Sequence, residues 1–178
     1  MGTGWLIKPD LMVTAGHNVF NWDGYGKAKE IKCFIGYQGS DSISSPMVQF
    51  RLAKTIVTTK EWMDSRENRH RDVAFIKVDQ PFDGDLRLFT YKTTQPSGPG
   101  LDHTVSAMLG VVGYPGDMSK DTDSGTERGA EMYEMFTSQD YNLDARGNDS
   151  HMLEYLISTY GGEFCFSVFL SFFTLDYP

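Results

Sequence analysis

Gly4-Trp5-Leu6-Ile7-Lys8-Pro9-Asp10-Leu11-Met12-Val13-Thr14-Ala15-Gly16-His17 is the stretch on which the reading of this chain turns. Two short apolar runs flank Pro9-Asp10, residue types that bound strands. The pattern is that of two strands joined by a tight turn. The second run ends on the small residues Ala15 and Gly16 and then presents an imidazole, His17. A histidine taken alone more often caps a strand or packs in a core. One that follows a strand end through two small residues points instead to chemistry.

The rest of the composition agrees with a β-rich globular protein. A chain of 178 residues can bury a sizeable core as one domain or as two small barrels. Glycine and aromatic residues are plentiful, helical periodicity is scarce, and short apolar segments alternate with turn residues, which favours an all-β architecture. The net charge of −8 argues against nucleic acid or an anionic membrane as partner, since both require clustered Lys and Arg. Neutral or cationic substrates fit better. Cys33 and Cys165 are the two cysteines, too few for the framework of a small disulfide-stapled domain.

Strand signals fall at about 3–7, 11–15, 31–37, 47–57 and 72–78, each rich in β-branched or aromatic residues and bounded by Gly, Pro, Asp or Ser. Residues 92–102, rich in Thr, Pro, Ser and Gly, read as a linker. This divides the chain into a first half, 1–91, and a second half, 103–163. The second half opens with the apolar run Val105–Val112 and the turn Gly113-Tyr114-Pro115-Gly116. Residues 117–130 then read as a polar loop, and Met132–Phe136 and Met152–Ile157 as strands. From Phe164 to Leu175 the chain is almost continuously aromatic and aliphatic, inside a tail of 164–178. Such a run is shorter than the roughly twenty residues a membrane helix needs, and it is prone to β-aggregation when exposed.

Three features carry candidate chemistry. His17 can act as a base near neutral pH, because imidazole has an unperturbed pKa of about 6.5. Asp72 heads the run Asp72-Val73-Ala74-Phe75-Ile76-Lys77-Val78, where apolar neighbours would partly desolvate its carboxylate. Alone, Asp72 reads more simply as a strand cap paired with Arg69 or Arg71. With His17 upstream, it becomes the carboxylate that fixes an imidazole tautomer. Gly161-Gly162, after Ser158-Thr159-Tyr160, is a glycine pair of the kind that can aim amide N–H groups at a developing oxyanion.

In this order, His17, Asp72 and Gly161-Gly162, the chain resembles the trypsin-like serine proteases. It is most similar to the disulfide-poor bacterial and fungal branch that includes the glutamyl endopeptidases, since Asn18 stands where animal trypsins carry a cysteine. The resemblance runs over residues 3–162 and includes the Gly113-Tyr114-Pro115-Gly116 turn. It implies a trypsin-like double six-stranded β-barrel, here incomplete at both ends, and an endopeptidase that works through an acyl-enzyme without a cofactor. Peptides or proteins would be its substrates, outside the cell. By the same resemblance His17 is the general base, Asp72 orients it, Gly162 supplies an oxyanion donor, and Thr159 lines a pocket for an acidic side chain. The resemblance also implies strands before Met1, so the chain reads as beginning inside the first barrel, with no basic start and apolar core of a signal peptide.

The nucleophile departs from the pattern. Against the family motif Gly-Gly-Asn-Ser-Gly-Ser-Pro-Val, this chain reads Gly161-Gly162-Glu163-Phe164-Cys165-Phe166-Ser167, with Phe164 where the serine belongs. Phenylalanine cannot attack a carbonyl. Ser167 lies too far along the chain, and Cys165 is one residue off, which in an extended segment turns its side chain to the other face. Glu-Phe-Cys-Phe-Ser can be encoded as GAA-TTC-TGC-TTC-TCC, which one base later reads Asn-Ser-Ala-Ser-Pro. A frameshift or missed splice near Gly162 therefore accounts for both the missing serine and the apolar tail. The alternative is a non-catalytic homologue that binds peptides or partner proteins. Asp117, Asp121, Asp123 and Glu127 lack the spacing of a calcium loop and read as a solvated acidic segment. His151 and Glu154 fall on opposite faces of a strand, and His70 and His103 read as surface residues, so no metal site is expected.

Overall fold

A computed structural model describes residues 2–23, 26–86, 88–90, 104–142 and 167–171, the last segment and the ends of the long second-half strands by their backbone alone. Strands β1 (Gly4–Lys8) and β2 (Leu11–Thr14) form the antiparallel pair expected from the opening stretch, with Pro9-Asp10 at the turn. The short β3 (Phe20–Asn21) and β4 (Gly26–Lys27) pair with each other. β5 (Lys32–Ile35), β6 (Gln49–Thr58) and β7 (Ala74–Val78) complete a five-stranded antiparallel sheet in the order β1-β2-β7-β6-β5.

A register shift between Ala53 and Thr55 lets β6 serve two neighbours. Its first residues, Gln49–Leu52, pair with β5, and the remainder pairs with β7. A bulge of this kind bends a strand and raises its twist, which is how a sheet begins to curl into a barrel. The inner face follows from alternation. Ala74, Ile76 and Val78 of β7 are buried while Phe75 and Lys77 point outward. They pack with Leu6, Met12, Val19, Cys33 and Phe82 in one core. The Cys33 thiol is pushed up to about 11, first by burial and then by the Asp79 charge, which leaves it a protonated apolar filler at neutral pH.

The five-residue α1 (Lys60–Asp64) connects β6 toward β7. Among the described residues no helix is long and apolar enough to cross a membrane. In the second half, β8 (Thr104–Gly113) pairs along its whole length with β11 (Tyr133–Asn142) and on its other edge with β12 (Ser167–Ser171). β12 falls inside the apolar tail. Residues 117–130 are not the loop expected from sequence. β9 (Ser119–Thr122) and β10 (Gly125–Arg128) form a hairpin held by main-chain pairing and by the Thr122 hydroxyl donating to the Gly125 carbonyl at 2.6 Å. Their polar residues carry no apolar alternation, so nothing in the sequence marked them as strands.

The two halves meet through polar contacts. The Glu127 carboxylate on β10 accepts from the Tyr37 hydroxyl and, at 2.7 Å, from the Ser40 amide of the loop after β5. These bonds hold its carboxyl below the usual range. Burial, and then the bond to Glu127, pushes the Tyr37 hydroxyl up to about 12. The Tyr114 hydroxyl donates to the Tyr37 carbonyl at 3.1 Å, and the Tyr114 amide donates to the Thr3 hydroxyl at 2.9 Å.

Candidate active site

Antiparallel pairing of β2 with β7 sets Thr14 opposite Ala74. The residues just after β2 therefore lie beside those just before β7. His17 sits in the 3-10 turn Gly16–Asn18 that follows β2. Asp72 closes the 3-10 turn Arg69–Arg71 and stands two residues before β7 begins. The sequence had placed Asp72 at the head of the strand. In the turn instead, its side chain is directed back across the ladder end.

The two side chains meet. Asp72 Oδ2 lies 2.6 Å from His17 Nδ1, and Asp72 Oδ1 accepts the backbone N–H of His17 at 2.7 Å. One carboxylate thus grips both the ring and the main chain of the same residue. Both groups are partly buried, where a charge-assisted bond is stronger than in open water. Because an ionised carboxylate can only accept, the proton of neutral His17 belongs on Nδ1 and the lone pair on Nε2. Such an imidazole can take a proton at Nε2, and the carboxylate then stabilises the imidazolium.

Gly16 makes the close approach possible. A Cβ on Gly16 would lie 2.8 Å from Trp62 Cδ1 and 3.0 Å from both Asp72 Oδ1 and Thr58 Oγ1. No larger residue fits without displacing the carboxylate or its neighbours. Asn18 ties the far side of the turn, its amide donating to the Thr14 hydroxyl at 2.8 Å.

Trp62 was not singled out from the sequence. It is buried in α1, and its ring meets the His17 ring edge-on at 6.4 Å between centroids. The available signal was a tryptophan in an otherwise polar segment, three residues after Thr59, a residue type that caps helices. Trp22 stacks edge-on against both Trp62 and Phe20. Gly161, Gly162, Thr159, Phe164 and Cys165 lie outside the described residues, as do His103, His151 and Glu154. His70 is exposed in the turn before Asp72. Within the acidic segment, Glu127 binds Tyr37 and Ser40, and Asp121 accepts from the Thr126 hydroxyl at 3.1 Å.

No protein-family model matches the chain. It is similar to the extracellular metalloprotease of Bacillus subtilis strain 168, with 29% identity over 147 residues covering 80% of this chain and 44% of that protein. It is also similar to the glutamyl endopeptidase of Bacillus licheniformis, with 26% identity over 161 residues covering 90% of this chain and 42% of that protein. The chain thus spans less than half the length of these curated relatives. Among solved structures, that of a Glu endopeptidase in complex with MPD superposes with a TM-score of 0.65 at 18% identity, over 94% of this chain and 67% of that one. The chain has the trypsin-like β-fold of the glutamyl endopeptidases, and its sequence is similar to theirs.

Proposed function

We propose that the chain carries the base and the orienting carboxylate of a serine endopeptidase and, as written, lacks the nucleophile that would complete it. The observation that carries the reading is the double grip of Asp72 on His17, at 2.6 Å to the ring and 2.7 Å to the backbone. In a complete site, a serine hydroxyl would donate to His17 Nε2 and attack the scissile carbonyl. Amide donors at and after Gly162 would stabilise the oxyanion, and the imidazolium would return its proton to the leaving amine. Substrates would be peptides or proteins outside the cell. An acidic side chain before the cleaved bond is suggested by Thr159 and by the name of one relative.

The names of the two relatives differ in the chemistry they imply. The serine reading is favoured here by the order His17, Asp72 and Gly161-Gly162 and by the trypsin-like β-fold shared with a Glu endopeptidase.

Phe164 at the matched position removes the nucleophile, so this polypeptide is expected to hydrolyse no peptide bond. The test is a transcript and genomic read across the codons for Ser158 to Pro178. An inserted base or unremoved intron that restores Asn-Ser-x-Ser-Pro would make the intact product an active endopeptidase. A frame that stands as written in both would remove the damage explanation and leave a serine-less homologue that binds peptides or proteins.

A further inference from the structure

The residues Thr58 to Trp62 bond to the backbone on either side of Asp72 and pack against the turn that carries His17. The Thr58 hydroxyl donates to the Val73 carbonyl at 2.8 Å, and the Thr59 hydroxyl donates to the Arg71 carbonyl at 2.7 Å. These two carbonyls flank Asp72, so consecutive threonines fix the backbone on either side of the carboxylate. Thr59 also accepts the Trp62 amide at 3.2 Å as the cap of α1, which sets the direction of the tryptophan.

Trp62 completes the bracket on the histidine side. Its indole N–H donates to the Phe20 carbonyl at 3.4 Å, its Cδ1 closes on the Cα of Gly16, and its ring meets the imidazole edge-on at 6.4 Å. Gly16 and Phe20 lie on either side of His17. One short segment therefore holds the flanks of Asp72 by two hydroxyls and the flanks of His17 by one indole. We propose that Trp62 is a positioning residue: with Asp72 pulling on Nδ1, the indole fixes the turn that carries the imidazole and so limits how the ring can leave its carboxylate. The inference rests on the functional reading only in giving that geometry a purpose.

The test follows the His17 Nδ1 proton by NMR in the chain as it stands, so no nucleophile is needed. A proton shared with a carboxylate resonates at low field and exchanges slowly while the pair stays closed. The unsubstituted chain should show it. Trp62→Leu should raise its exchange with water by roughly tenfold, as expected when local opening becomes easier. Trp62→Phe, which keeps a ring edge but loses the bond to Phe20, should raise it less. Ile76→Val, a core change away from the pair, should lower thermal stability and leave the exchange rate unchanged. Unchanged exchange in a folded Trp62→Leu chain overturns the positioning role, and if that variant fails to fold, unchanged exchange in Trp62→Phe overturns it equally. Absence of the resonance from the unsubstituted chain would instead remove the His17–Asp72 pair, and with it the functional reading.

Discussion

In the first half, β7 turns Ala74, Ile76 and Val78 into a closed core, and the candidate site sits at the end of that ladder. In the second half, side chains at the start of β11 are partly exposed, although Val111 of β8, opposite Met135, is buried. Met135 and Phe136 are adjacent, so their side chains point to opposite faces, yet they are 39% and 53% exposed, and the preceding Met132 is 60% exposed. Phe136 lies across Gly110 of β8, where a Cβ would come within 2.6 Å of the ring, so an aromatic face covers a bare glycine rather than a core. The residues seen to bracket the His17–Asp72 pair, Gly16, Thr58, Thr59 and Trp62, belong to the first half.

The sharpest way to break this contrast is to cut into each half in turn. Ile76→Ala should destabilise the chain by roughly 2–5 kcal/mol, the range for truncating a buried aliphatic residue. Phe136→Ala should cost less than about 1 kcal/mol, as for other exposed positions. Urea unfolding of both variants measures the difference. Equal losses would mean that the second half is packed as tightly as the first.

Asp72→Asn probes the pair itself. Asparagine can offer its carbonyl to only one of the two His17 donors. The loss should approach 1.5–3 kcal/mol, roughly the worth of one hydrogen bond to a charged group. The same denaturation assay would record it, with loss of the low-field His17 proton as the structural signature. Gly16→Ala should follow at about 1–3 kcal/mol, the usual cost of an added methyl in a filled space. Its effect should fall on the unfolding midpoint and on the His17 resonance together.

The smallest effect belongs to the contact between the halves. Hydrogen bonds from Tyr37 and Ser40 lower the carboxyl of Glu127 from its unfolded value of 4.5. A group whose folded value is lowered contributes stability that is fully present above the unfolded value and is lost as pH falls through the folded one. Stability should therefore drop in acid below that unfolded value, and Glu127→Gln should flatten this part of the profile. Because Glu127 is partly solvated, the change should be modest. A profile identical in both proteins would show that the contact does not couple the halves.

What could be read in advance follows the same division. The β1–β2 strands and the strand carrying Ala74 to Val78 were legible from short apolar runs bounded by turn residues, whereas the partnership of His17 with Asp72 was expected only from the resemblance to the trypsin-like proteases. Asp72 was placed at a strand head and is found at the end of a 3-10 turn, because one or two residues at a strand boundary leave no mark in composition. The β9–β10 hairpin was missed because Ser119-Lys120-Asp121-Thr122 has no apolar face. Trp62 was missed for another reason. Its role depends on Thr58 and Thr59 reaching the carbonyls on either side of Asp72, and sequence spacing carries no information about such tertiary bonds.

The most direct single measurement is treatment of the purified chain with a fluorophosphonate, followed by mass spectrometry of the whole protein and its peptides. A poised His17–Asp72 pair without a nucleophile should give no adduct, while a known serine endopeptidase labelled in parallel does. A phosphonylated serine anywhere in this chain, abolished by His17→Ala, would contradict the claim and place a working nucleophile against the imidazole.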